Sequence, residues 1–169
     1  MSFDNTKDLL ERYGFQSIFK HKLIQENNFI EGYNKDYSIE YAIDKKQLFE
    51  FLETSQKKEF DKISFRPNYQ DEFVKYLRDE IADKGLLEIL RGEVKWYGAH
   101  FKMMITKPET SLNKSENEKY LCNRFSVTEE LVYKKKWDVD AQDYIDGGRG
   151  DLTIFLNGIP VIWIELKSN

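Results

Sequence analysis

The chain has 169 residues, of which 40% are hydrophobic, 15% aromatic and 33% charged. That composition excludes a disordered chain, and the length suits one compact domain over residues 1–169 that buries its core without staples. The net charge of −4 weighs against a free-standing nonspecific nucleic-acid binder, which needs Lys and Arg to neutralise phosphates.

In chain order, apolar residues recur at intervals of three and four through Leu9, Tyr13, Phe15, Ile18, Phe19 and Leu23, which predicts a first helix with a break or bend at Gly14. Residues 38–44 (SIEYAID) read as a short strand. Asp44 is then placed to cap a helix over 45–60, whose Leu48, Phe49, Leu52 and Phe60 share a face. A third helix follows RPNYQ, with Phe73, Tyr76, Leu77 and Ile81 along one side, and ends or turns between Asp83 and Gly92. From about Glu93 to Ile105 loose alternation and aromatic residues predict a strand. KPETSLNKSENEKY reads as a polar loop entering a short helix near Tyr120, NRFSVTEELVYKKKW as a strand, and DVDAQDYIDGGRG as a loop with three glycines.

Single residues add little. The lone cysteine, Cys122, cannot form an internal disulfide and is expected to be a small buried apolar residue; His21 and His100 have no partner at ligand spacing and are read as structural or surface residues. The N-terminus lacks the apolar run of a signal peptide, and no run approaches the roughly 20 residues needed to span a bilayer. The expected compartment is the cytoplasm, without membrane contact. The basic patch at Lys134 to Trp137, which includes Lys136, is either a solvated strand end or a phosphate contact, and Arg149, in glycine-rich surroundings two residues before Asp151, is a candidate phosphate contact.

Most of the chemical information lies in residues 150–167, GDLTIFLNGIPVIWIELK. Asn157-Gly158 between apolar runs signals a hairpin. A two-residue loop pairs Leu156 with Ile159 and sends Glu165 and Lys167 to the face opposite Asp151. A three-residue bulged connection shifts the pairing by one. The shifted register gathers Leu152, Ile154, Leu156, Ile162, Ile164 and Leu166 on one aliphatic face and Asp151, Glu165 and Lys167 on the other. Because charges are costly to bury among aliphatic side chains, the shifted register is the expected one. In it the two carboxylates and the amine converge. Neighbouring carboxylates repel unless a cation neutralises them, and hard oxygen ligands with vacant positions suit Mg²⁺. Lys167 would orient a water or stabilise charge on a reacting phosphate. The pattern fits metal-assisted phosphodiester hydrolysis; the bland alternative for Glu165 and Lys167 is a surface ion pair.

GRGDLTIFLNGIPVIWIELKSN resembles the nuclease motif of the PD-(D/E)xK superfamily, and specifically the N-terminal domain of the restriction (R) subunit of type I restriction–modification enzymes. YNKDYSIEYAIDKKQLFEFLETSQ and NRFSVTEEL are similar to upstream segments of that family, so the resemblance spans nearly the whole chain. It implies a restriction-endonuclease-like α/β (α+β) fold, a mixed, mostly antiparallel central sheet flanked by helices. It further implies an endonuclease that uses Mg²⁺, with Mn²⁺ as a substitute, to cut double-stranded DNA without reading its sequence. Carried over, Asp151 and Glu165 would be metal ligands together with the Leu166 backbone carbonyl, and Lys167 the catalytic lysine. Many superfamily members add an acid from the first helix, where this chain has Gln16; Glu11 or Glu26 would then substitute, or metal would be held weakly.

The implied partners are the methylation and specificity subunits of the restriction complex. Family members continue into an ATP-driven motor, whereas this chain stops at Asn169 and has no GxxxxGK(S/T), so it reads as a piece of a larger subunit and ATP binding is expected only in the full-length protein. Two alternatives stand beside this reading. One is a degenerate domain that keeps the fold as a docking module, favoured by Gln16 and the acidic charge. The other is a stand-alone nuclease of the same superfamily. Trp163, beside the proposed site, either packs or stacks on a nucleotide.

Overall fold

The computed structural model describes residues 4–110, 112–138 and 140–166, with side chains from residue 14 onward, that of Tyr144 excepted. The first helix, α1 (Asp4–Asn27), runs through Gly14 without a break. A helical glycine costs about 1 kcal/mol against alanine but keeps its N–H, so a long helix absorbs it.

Contacts group the chain into two compact units. One combines the chain up to Lys35 with residues 125–155 and the chain from Pro160 onward; the other combines residues 36–124 with 156–159.

The first unit is built on a four-stranded sheet in the order β1 (Ile30–Glu31), β6 (Phe125–Asp138), β7 (Asp143–Leu156), β8 (Ile159–Ile164). β1 runs parallel to β6, with Ile30 opposite Ser126 and Glu31 opposite Val127. β6, β7 and β8 are neighbours joined by short connections, which only antiparallel strands allow, so the sheet is mixed. Phe19, Leu23 and Ile24 of α1 pack with Phe29, Val161 and Ile164 onto buried Val127, Leu152 and Ile154. Burying each such aliphatic side chain fully contributes roughly 1.5–3 kcal/mol, and this patch holds α1 to the sheet. Two features escape the sequence reading. β1 is only two residues long, and the glycine-containing segment expected to be a loop enters β7 at Asp143.

In the second unit, the strand expected over 38–44 is instead a small antiparallel pair, β2 (Tyr37–Ser38) with β3 (Ile43–Asp44), because Ala42 takes a left-handed φ of 54° and turns the chain. The helix expected over 45–60 divides into α2 (Lys45–Ser55) and α3 (Lys57–Phe60). Gln56 causes the break: its side-chain amide donates to the Lys102 carbonyl at 2.9 Å and accepts from the Lys102 N–H at 2.8 Å. α4 (Tyr69–Lys84) ends at Gly85, whose φ of 85° reorients the chain into α5 (Leu86–Arg91). The strand expected to Ile105 is a hairpin, β4 (Val94–Trp96) and β5 (Ala99–Phe101), turned by Tyr97 and Gly98 at φ 46° and 78°. α6 (Lys114–Leu121) begins at Asn113, whose side chain accepts from the Glu116 N–H. Leu48, Phe51, Leu52, Phe73, Leu77, Phe101 and Met103 form this unit's fully buried apolar interior.

The mixed sheet and the six α-helices of the described residues make an α+β fold. No described helix is long and apolar enough to cross a membrane.

Asp44 caps α2 as expected, its carboxylate accepting from the Gln47 N–H at 3.0 Å. Burial pushes its pKa up, and the Gln47 hydrogen bond only partly opposes that. A carboxyl whose folded pKa is raised binds its proton more tightly in the native state. Its contribution is complete below the unfolded pKa and is lost as pH rises through the folded pKa. Asp44→Asn keeps an acceptor without the charge. The expected result is a cap that still holds and thermal stability that no longer falls across that acidic window, measured as midpoint against pH for both proteins.

Candidate functional site

The site is set by the β7–β8 hairpin. β7 ends at Leu156 and β8 starts at Ile159, while Asn157 and Gly158 have φ of 52° and 81°. This is a two-residue primed turn, whose backbone twist matches that of the flanking strands. The three-residue bulged connection expected from the sequence is therefore not formed. Asn157 fixes the turn because it is fully buried and fully used. Its N–H donates to Arg124 O at 2.8 Å, its Oδ1 accepts from the Arg124 N–H at 2.7 Å, and its Nδ2 donates to Met103 O and Asn123 Oδ1 at 2.9 and 3.0 Å. Gly158 is required as well, since a Cβ there would lie 2.3 Å from the Asp44 carbonyl oxygen.

Val161 packs with Ile154, as pairing Leu156 with Ile159 requires, and Ile162, expected inside, is 51% exposed, whereas Ile164, at the end of β8, reaches the inner cluster as expected. The charge-burial reason for the shifted register does not apply, because β8 stops at Ile164 and Glu165 lies exposed beyond the ladder. Strand alternation is thus not what brings residue 151 to residues 165–166. The Leu166 N–H does so, donating to Asp151 Oδ2 at 2.5 Å across 15 residues. Asp151 is only 6% exposed, so this charge-assisted bond in a poorly solvated place holds the end of the hairpin together.

Glu165 is anchored separately, its Oε1 accepting from Trp163 Nε1 at 3.1 Å. The Trp163 ring lies over Gly150, where a Cβ would come within 2.0 Å of it, and the Tyr133 ring lies over Gly148, where a Cβ would come within 2.6 Å. The two rings meet edge to face, with centroids 4.8 Å apart. Strand glycines ordinarily weaken a sheet; here they make room for two aromatic rings that remain 41% and 45% exposed. Lys136 is exposed on β6. Arg149 is engaged, its Nε 2.6 Å from Glu130 Oε2. Lys167 lies outside the described residues, as does the Glu11 side chain. Glu26 is exposed on α1.

Gln16 reaches the site from α1. It is fully buried, and its Nε2 donates to the Asp151 carbonyl at 2.8 Å and to Glu130 Oε1 at 3.3 Å. Glu130 was not singled out by the sequence reading. The one signal pointing to it is the tandem Glu129-Glu130, which breaks the alternation of β6.

Of the remaining residues, His21 and His100 are exposed, the latter with Nδ1 2.9 Å from Glu93 Oε2. Cys122 is half-buried rather than buried, with Sγ 3.3 Å from Glu118 O at the end of α6.

The Asp151 and Glu165 carboxylates, the Leu166 carbonyl and the Gln16 amide oxygen are all hard oxygen donors, the chemistry that Mg²⁺ prefers. The described residues hold no ready-made group of three or more His, Cys, Asp or Glu arranged for a metal.

A family model described as the type I restriction enzyme R protein N terminus matches residues 17–169. No curated protein and no solved structure matches the chain.

Proposed function

The chain belongs to the family of type I restriction enzyme R protein N-terminal domains, and from that premise we propose that it is the metal-dependent endonuclease domain of such an enzyme. In this reading it cuts double-stranded DNA within a complex that also holds methylation subunits and a specificity subunit carrying base recognition, which suits a chain of net charge −4. ATP would be used by the longer subunit alone.

The observation that carries the proposal is the buried Asp151 carboxylate bonded to the backbone of Leu166, immediately after Glu165. Asp151, Glu165 and the Leu166 carbonyl would hold Mg²⁺, or Mn²⁺ in its place. When bound, the ion neutralises the carboxylates and lowers the pKa of a coordinated water toward neutrality. The Leu166 amide keeps the Asp151 carboxylate oriented and adds no competing charge. The Trp163 indole restrains Glu165 in the same way. Lys167 would stabilise negative charge on the reacting phosphate, with Lys136 and Arg149 contacting flanking phosphates. A docking module that keeps the fold without the chemistry is the second reading, favoured by the neutral Gln16 where an acid is expected.

Mn²⁺ calorimetry on the chain and on Asp151→Ala tests the choice. Saturable binding that disappears in the variant is the expected result. Absence of binding by the unaltered chain would count against the nuclease centre and leave the docking module.

A further inference from the structure

We propose that Tyr133 and Trp163 form a stacking platform for an unpaired nucleotide of DNA, beside Glu165 on the sheet of β6, β7 and β8. The assignment rests on the reading above that the chain works on DNA. It deepens that reading by naming the state of the strand held here: bases turned out of the duplex.

Three observations converge on the two rings. First, the backbone beneath them is cleared. Tyr133 stands on β6 and Trp163 on β8, and their rings meet above β7, the strand between. There Gly148 and Gly150, two residues apart and so on one face, leave room where a Cβ would come within 2.6 and 2.0 Å of ring atoms. Gly147 adds to this, since a Cβ there would lie 3.0 Å from the Lys136 nitrogen; β7 presses close against β6 as it passes under the rings.

Second, the rings remain 45% and 41% exposed, and what they show to solvent is π surface. The one polar atom of the indole is engaged, because Trp163 Nε1 donates to Glu165 Oε1 at 3.1 Å. With planes at 85° the rings form a corner rather than a flat patch. Every base has a π face, so stacking tolerates any sequence. That suits a domain that cuts without reading bases, and the Glu165 bond sets the platform next to the proposed metal ligands.

Third, cations follow directly. Lys134, Lys135 and Lys136 continue β6 from Tyr133 and are exposed. Strand alternation returns Lys135 to the face of the Tyr133 ring, and Trp137, 54% exposed, comes after it on the same face. Aromatic rings for bases beside ammonium groups for phosphates are the composition of a single-strand site. An apolar protein partner would have to desolvate those three charges, whereas a nucleic-acid strand uses them.

Any large apolar side chain could cover the glycines; only an aromatic one stacks, and the test turns on that difference. A labelled oligothymidylate of about 12 nucleotides is titrated by fluorescence anisotropy in EDTA, where neither metal nor cleavage enters. Tyr133→Leu and Trp163→Leu should each weaken its binding by about tenfold, while Tyr133→Phe and Trp163→Phe stay within about twofold of the unaltered chain. Binding of a blunt duplex, made through phosphates, should change by less than about twofold in all four. Tryptophan emission gives a readout that does not depend on how the leucine variants fold. The oligonucleotide should quench it in the unaltered chain, and Trp163→Phe should lose most of that quenching while keeping the affinity. Single-strand affinity unchanged in folded leucine variants, or no quenching in the unaltered chain, overturns the platform. A dimer seen by sedimentation and dissolved by the leucine variants, in a chain that binds no oligonucleotide, assigns the rings to a second copy and overturns it too. Mn²⁺ calorimetry reads the nuclease centre separately, so either reading can fail alone.

Discussion

Asn157→Ala is expected to cost roughly 3–5 kcal/mol, a large share of the stability of an ordinary domain. The side chain bonds the Arg124 N–H, the Met103 carbonyl and Asn123 Oδ1 from a position with no solvent exposure. The Arg124 N–H and the Met103 carbonyl lose this partner at about 1–3 kcal/mol for each group left unpaired, whereas Asn123 Oδ1 still accepts from the Ile105 N–H. Alanine at a φ of 52° adds about 1–2 kcal/mol of backbone strain, which asparagine tolerates. Two companion variants separate these causes. Asn157→Gly relieves the strain and should recover only that part. Asn157→Asp keeps the acceptor for Arg124 but sets a carboxylate against the Met103 carbonyl, so it should be at least as damaging as alanine. Urea unfolding reads all three, the midpoint shifting at constant slope. A glycine variant as stable as the unaltered chain would mean that the hydrogen bonds contribute little.

The same residue marks how far the sequence could be read. Asn-Gly announced the hairpin, but the choice of loop depended on Arg124, Met103 and Asn123, which lie 33 to 54 residues away along the chain. Charge burial favours the shifted register only if β8 continues through Glu165, and β8 stops at Ile164. Helices α2 and α4 were legible because their apolar residues repeat at helical spacing over many positions. The break at Gln56 was not, since it comes from a side chain copying strand pairing to Lys102. Turns at Ala42 and Tyr97 were equally hidden, for neither residue advertises a positive φ. β7 was misread at its start because Gly147, Gly148 and Gly150 suggest a loop unless the rings of Tyr133 and Trp163 above the last two are known.

The site divides along the same line. Asp151, Glu165 and Lys167 stood out through a motif that is contiguous in sequence. The hydrogen bonds of Gln16 to Glu130 and to the Asp151 carbonyl did not, because Gln16 lies 114 residues from one and 135 from the other. Sequence spacing reveals groups carried by one hairpin and conceals those assembled by packing a helix onto a sheet.

Asp151→Asn is expected to lower Mg²⁺-dependent DNA cleavage by on the order of 10³-fold while lowering the thermal midpoint less than Asp151→Ala does. The distinction matters because Asp151 has a structural duty as well, accepting the Leu166 N–H at 2.5 Å. Asparagine keeps an oxygen there and removes only the charge; alanine removes both, and should also cost about 1–3 kcal/mol for the orphaned amide. Glu165→Gln extends the comparison, since its amide oxygen can still accept from Trp163 Nε1. Both isosteric variants should therefore be folded and nearly inactive, read by plasmid cleavage and thermal unfolding on the same preparations. Cleavage by Asp151→Asn at the rate of the unaltered protein would show that the carboxylate serves the fold and not the chemistry. Loss of cleavage with an intact fold in both variants would separate the charge that does chemistry from the oxygen that closes the hairpin.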